Sequence, residues 1–280
     1  MADSTIARET PELSSQAELL YQAQQRKSRL FRTNVALSWG ILLLVLLYLF
    51  SGRTFFGLKT IHLDFEFIRN NFAFIARGIN DTLIITTLSI IVAMVLALLA
   101  ALGRLSTIPP IYALSTFYVS LIRGTPLYLQ IIFFFLALPQ VGIRLSGLWA
   151  GVIALGLNYG AYMSEIFRAG LASVGKGQRE AAMAIGMTPM QTMKRVVLPQ
   201  ALRFAIPPIG NDFISMTKDS SLVAATGFVH ELTWNAVKVG RAQFRSLEAL
   251  IMAAIFYWMM TLILSYVQTI IETRLAKGDR

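Results

Sequence analysis

The sequence predicts an all-α, polytopic membrane protein with about six transmembrane helices, and three observations carry that prediction. Only 14% of the chain is charged while 55% is hydrophobic, whereas an ordinary soluble domain carries about 25% charged residues. Six stretches free of Asp, Glu, Lys and Arg cover 33–52, 82–103, 105–122, 124–143, 145–164 and 249–271. Each has the roughly 18 or more residues that a helix needs to cross a ~30 Å hydrocarbon layer. Finally, lipid leaves backbone N–H and C=O groups no outside partner, and the leucine-rich 41-ILLLVLLYLF-50 lacks the alternation of a barrel strand, so the crossings are helices.

The elements follow in order. Residues 1–33 form a polar cytoplasmic tail, and 34–51 a retained anchor, since no small-residue cleavage site follows it. Arg26, Lys27, Arg29 and Arg32 precede that anchor, and the positive-inside rule places them in the cytoplasm. An external loop spans 52–77. The chain then returns inward over 79–103, goes outward over 105–138, inward over 147–171, outward over 201–227 and inward over 249–272. A cytoplasmic tail, 273–280, ends it. The uncharged stretch before and after 123-RGTP-126 is too long for one untilted crossing, so an interfacial helix before Arg123 and a crossing after it are expected. Pro207, Pro208 and Gly210 predict a kink beside Asn211 and Asp212, either lining a cavity or serving packing alone.

Composition also excludes chemistries. The chain has no Cys and two His, His62 and His230, so a disulfide framework, a thiolate metal site and a cysteine nucleophile are ruled out. Neither a catalytic residue nor a metal site is expected. The net charge of +10 belongs with the uncharged runs to a bilayer protein and not to a nucleic-acid binder.

One stretch inside the chain is too polar to cross lipid: 173-SVGKGQREAAMAIGMTPMQTMKRVVLPQ-200. It reads as two short helices. Gln178 to Ile185 is rich in helix formers, and Gly186 stands where a left-handed C′ residue ends such a helix. Thr188, Pro189 and Gln191 form a capping box with a first-turn proline. The second helix is expected to run to about Leu198, with Pro199 stopping it. Ala181 and Ala182 supply a small-residue surface, and Met183, Met190 and Met193 adaptable apolar contacts.

These residues carry a resemblance. Glu180, Ala181, Ala182, Gly186 and the run Val196, Val197, Leu198, Pro199 resemble the cytoplasmic EAA signature of permease subunits of bacterial ABC importers, with Val196 where Ile is usual. The stretches 78-GINDTLIITTLS-89, 123-RGTP-126, 160-GAYMSEIFRAGL-171, 198-LPQALRFAIPPIGNDF-213 and 218-KDSSL-222 are similar to the polar amino acid branch, with Ser220 where Thr is common. The resemblance covers 78–272. It implies a five-helix permease core preceded here by an extra N-terminal helix, in the bacterial cytoplasmic (inner) membrane with both termini cytoplasmic. It also implies that hairpin 177–198 couples to an ATPase through Glu180, Ala181, Ala182, Gly186, Leu198 and Pro199. The partners it implies are two copies of an ABC ATP-binding subunit, a second permease subunit, identical or sibling, and an external amino acid binding protein. ATP and Mg²⁺ would be held by the partner, since this chain lacks a G-x-x-x-x-G-K-[ST] phosphate loop.

Polar groups within spans are costly, about 2.5 to 3.5 kcal/mol for a central charge on insertion scales, and so mark function or pairing. On that ground the expected substrate pathway comprises Asp81, Thr86, Arg123, Asn158, Tyr162, Glu165, Asn211 and Lys218. Asn158, Tyr162 and Glu165 fall on one helical face at i, i+4 and i+7. Glu165 either receives a cationic ligand group or pairs with a base such as Arg168 or one on a neighbouring helix. Thr86 either faces the pathway or bonds the carbonyl four residues back. The competing class is an ion-coupled secondary transporter or channel using Glu165 and Asp81 as relays, which needs no docking hairpin.

Overall fold

A computed structural model describes residues 10–52, 54–55, 58–59 and 61–276. Two units are distinct, Met1–Asp64 and Phe65–Arg280. In the first, helix α1 runs unbroken over Thr10–Leu49. Residues 23–49 of it are long and apolar enough to cross a membrane. Ile41 to Leu49 are all exposed, the pattern of a helix whose solvent is lipid. The Ile61 amide donates to the Leu49 carbonyl at 2.8 Å, and a two-residue antiparallel pairing joins β1 (Thr54–Phe55) to β2 (Leu58–Lys59).

Among the described residues of the second unit all regular secondary structure is helical. Helix α2 (Phe65–Arg104) begins well before the expected span at 79, so residues 65–77 of the expected loop 52–77 are helical. Charge alone suggests a loop, but Glu66 and Arg69 are exposed while Phe67, Asn71 and Ile75 of the same turns are buried, so the segment is an amphipathic extension of the span. Then follow α3 (Pro109–Arg123) and α4 (Leu127–Ile132), the latter continued by a π turn and a 3₁₀ turn to Val141. The chain bends by 105° between α3 and this second piece. The break expected at 123-RGTP-126 is therefore present, but residues 127–141 reach only about 22 Å at a helical rise, short of a full crossing. Helix α5 (Gly147–Ser173) leads into the short α6 (Lys176–Ala184) and α7 (Pro189–Thr192), and then α8 (Leu198–Asp219), α9 (Leu232–Ala242) and α10 (Ser246–Ala276).

Packing is inverted relative to a water-soluble protein. Exposed positions on α2 and α10 are Leu98, Leu99, Leu102, Leu262 and Ile263, whereas Thr82, Thr86, Ser89, Asn158 and Glu231 are buried. Where lipid is as apolar as the interior, association rests on close fit and interhelical hydrogen bonds. Accordingly α2 contributes Ala93 and Ala97, and α5 contributes Ala154, Leu155, Tyr159 and Met163, to a core shared with Met216 of α8. A second core joins Phe67 and Ile75 of α2 to Leu232 and Ala236 of α9 and Met252 and Phe256 of α10. Gly78 makes that junction possible, because a Cβ there would lie 2.6 Å from the Leu232 backbone. Beside it, the fully buried Glu231 accepts from the Thr233 amide at 2.8 Å and the Tyr257 hydroxyl at 2.7 Å, so the N-terminus of α9 is capped by a carboxylate whose burial is compensated.

Helix α8 is continuous through Pro207 and Pro208. Gln268 of α10 packs against Gly210 and donates to the Pro207 carbonyl at 3.1 Å and the Asn211 side chain at 3.2 Å. This proline pair serves helix packing. Nor does Pro199 stop the preceding helix. Residues Met193–Val197 form a π turn that leads directly into α8, and Pro199 sits in that helix's first turn, where a residue without an N–H is tolerated.

Candidate functional site

The hairpin at the end of α5 is built from local signals. Gly186 has φ +84, the Met187 amide donates to the Ala182 carbonyl at 3.1 Å and the Gly186 amide to that of Met183 at 2.9 Å, which closes α6 with a Schellman motif. Thr188 and Gln191 form a reciprocal capping box at the start of α7. Arg179 ties the hairpin to α5 by donating to the Leu171 carbonyl at 2.6 Å. Leu171, Val174, Val197 and Ala201 form a small core at its base. Of the alanine pair, Ala182 turns inward and Ala181 outward. Met183, Ile185 and Met190 are exposed, flanked by Lys194 and Arg195. Apolar side chains displayed within a charged segment mark a surface for another protein more readily than for lipid.

Two clefts lie along the middle of α5. The larger, about 520 Å³, is lined by the α3–α4 break (Arg123 to Leu127), by Asn158, Tyr159 and Tyr162 of α5, and by Asp212, Ser215 and Asp219 of α8. Gln130 holds the break open, with its amide donating to the Ile122 carbonyl at 2.9 Å and the Thr125 hydroxyl at 2.8 Å while its oxygen accepts from Asn158 at 3.2 Å. The carbonyl freed by the interrupted helix thereby gains a partner. Tyr159 donates to Asp219 at 2.8 Å, and Asp212 Oδ2 is buried with no hydrogen-bond partner among the described residues. A basic group and two carboxylates thus face one polar cavity, a suitable setting for a zwitterion.

The smaller cleft, about 400 Å³, shares Arg123, Gly124 and Tyr162 with the first and adds Arg104, Thr116, Val119, Ser120 and Glu165. Glu165 pairs with Arg104 of α2, with Arg168 of its own helix at 2.8 Å and with Arg123 of α3 at 3.5 Å. Of the two options for this carboxylate, the structure shows an ion-pair network, half-shielded and drawn from three helices. The Arg123 guanidinium also lies 5.0 Å from the centre of the Tyr162 ring.

Of the expected pathway residues, the structure brings together Arg123, Asn158, Tyr162 and Glu165. It does not bring the others. Thr86 is buried in the bundle with its hydroxyl donating to the Thr82 carbonyl at 2.8 Å, Asn211 faces Gln268, and Asp81 and Lys218 line neither cleft. Arg104, Gln130, Tyr159, Asp212, Ser215 and Asp219 complete the site, although the sequence alone does not assign them to it. Asp212 and Asp219 are legible as charges inside a span; Arg104 ends an uncharged run and reads as a boundary until α5 is packed beside it.

Comparison with known proteins identifies the family. Residues 93–277 match the family of binding-protein-dependent transport system inner membrane components. The chain is similar to an arginine transport system permease protein of Bacillus subtilis, 38% identical over 78% of this chain and 100% of that one. An L-cystine transport system permease protein of the same organism is 45% identical over 72% of this chain and 86% of the relative, and a glutamine transport system permease protein of Escherichia coli is 36% identical over 71% and 91%. Among solved structures, an amino acid ABC transporter with histidines matches at a TM-score of 0.72 and 36% identity, covering 76% of this chain and 99% of that one. The chain belongs to the family of binding-protein-dependent inner membrane transport components, among its amino acid ABC permeases.

Proposed function

We propose that this chain is the translocation subunit of an ATP-driven amino acid importer, and that it carries its cargo through the cleft between the α3–α4 break, α5 and α8. The observation that supports this most is that a single helix, α5, lines the polar cleft at its middle and leads at its end into a hairpin with exposed apolar side chains. A displacement of the hairpin is then a displacement of the cleft wall. Two ATP-binding subunits that hold ATP and Mg²⁺ press on Ala181, Ile185, Gly186 and Met190, and a soluble binding protein delivers the amino acid from outside. A second permease subunit, identical or sibling, completes the pathway within the bacterial inner membrane, with both termini cytoplasmic. ATP favours the closed ATPase pair by its differential affinity for that state, and the hairpin passes that bias to the bundle. Asp212 and Asp219 face the cargo's ammonium group, and Arg123 its carboxylate.

Reconstitution into liposomes with the ATP-binding subunit and binding protein tests this reading, scored by ATP-dependent uptake across the twenty amino acids. Uptake of a restricted set, lost when the ATP-binding subunit is omitted, is the expected result. Undiminished uptake without that subunit would overturn it. The absence of native Cys makes orientation testable as well, because Ser173→Cys should be labelled by an impermeant thiol reagent from the cytoplasmic side only.

A further inference from the structure

We propose that the smaller cleft is a second carboxylate site on the same path, in which the carboxylate of the amino acid takes the place of Glu165 on Arg123. The proposal rests on the reading of the larger cleft as the cargo's first station. It adds a second station and gives Glu165 a task other than holding helices together.

Charge is the first observation. Glu165 is the one carboxylate lining this cleft, yet Arg104 and Arg123 line it with Glu165 and Arg168 grips the carboxylate's other oxygen. One anion among three guanidiniums leaves an uncancelled excess of positive charge in a half-shielded space, which favours a further anion.

The contacts are also unequal. Arg104 and Arg168 hold Glu165 closely, whereas Arg123 reaches it only at 3.5 Å, the outer limit of a hydrogen bond. Arg123 is the guanidinium with donors to spare. It also lies over the Tyr162 ring, and both residues stand in the wall common to the two clefts. A third observation is an unused donor on the same helix, two turns before Arg123, since the Thr116 hydroxyl is buried, lines the smaller cleft and has no partner among the described residues.

Direction follows from the helix. Asn158 faces the larger cleft and Glu165 the smaller, and seven residues of α5 separate them by about 10 Å toward the hairpin. A carboxylate on Arg123 can therefore pass from the first chamber to the second without leaving the guanidinium, which spares it the several kcal/mol of an uncompensated charge in a water-poor interior. Glu165 competes for that guanidinium and returns to it once the cargo has gone. No bond is made or broken; Glu165 is a positioning residue that limits how long the cargo stays.

Equilibrium dialysis of the purified permease–ATPase complex, without binding protein or ATP, tests the competition. The probes are radiolabelled L-arginine, L-histidine, L-glutamine and L-cystine, each compared with its α-carboxamide. Glu165→Gln keeps the size of the side chain and removes its charge, so the best-bound amino acid should bind about tenfold more tightly, the scale of a charge-assisted hydrogen bond. The carboxamide should bind both forms alike, and ATP-driven release should slow. A loss that was merely structural would weaken binding. Unchanged or weaker binding by an assembled Glu165→Gln complex overturns the proposal, as does equal tightening for the carboxamide or no binding to either form. Should that variant fail to assemble, Thr116→Val decides, with about threefold weaker binding expected and unchanged binding overturning it. Dialysis needs neither ATP nor import, so failure here is distinct from failure of uptake in liposomes.

Discussion

The α6–α7 hairpin and the two clefts are built by opposite means. In the hairpin the shaping contacts are local: the capping box joins residues three apart, and the Schellman bonds close within α6 and the residues that follow it. In the clefts they are remote, with Asn158 to Gln130 separated by 28 residues, Arg123 to Glu165 by 42, Tyr159 to Asp219 by 60 and Arg104 to Glu165 by 61. On the proposed function, a lever that meets another protein keeps its form through its own caps. A cavity that must change between access states is held by bonds that separate when helices move apart, so the difference matches the demands on each region.

The largest expected effect is at the hairpin. Gly186→Asp should abolish cargo-stimulated ATPase activity in the reconstituted complex while membrane insertion is retained. Nothing lies within 4 Å of a Cβ added there, so the damage comes from the positive φ and from a carboxylate at the negative end of α6. Normal coupling in that variant would break the comparison from the hairpin side. Next is Gln130→Leu, which leaves the Ile122 carbonyl and the Asn158 amide without their side-chain partner. Here about 2 kcal/mol of stability and roughly tenfold in uptake should be lost, read as a lower melting temperature in detergent together with slower transport. A stable variant with unaltered uptake would show that the break does not depend on its remote bonds. The smallest effect is that of Thr188→Ala. Loss of the cap costs about 1 kcal/mol, confined to α7, so amide exchange over residues 189–197 should quicken about fivefold while exchange around the clefts stays as it was. A change spreading to Asn158 or Arg123 would show that the two regions are not independently held.

What can be read in advance follows the same division. The left-handed Gly186, the Thr188 and Gln191 box and the break at 123-RGTP-126 all declare themselves within a few residues, because glycine, capping side chains and proline act on their own backbone. The departures from expectation lie where packing overrides local preference. Pro199 reads as a stop, yet a π turn before it lets the helix run on. Asn211 reads as a pathway residue beside a proline kink, yet Gln268, 57 positions away, engages it. Thr86 admits two readings, and its bond to the Thr82 carbonyl decides for the local one.

By itself the amino-acid sequence determined that the chain lives in lipid, that a helix breaks at 123-RGTP-126 and that 173–200 is too polar to cross the bilayer, since hydropathy, helix-terminating residues and caps are properties of short windows. Only the tertiary structure decided that Arg104 and Arg123 close on Glu165, that Asp212 and Asp219 face the same cavity as Arg123, and that Asp81, Asn211 and Lys218 stand apart from it. A charge inside a membrane helix needs company, but which residue supplies it depends on helix rotation and depth, and those are set by the small-residue contacts between α2 and α5, which no single window contains.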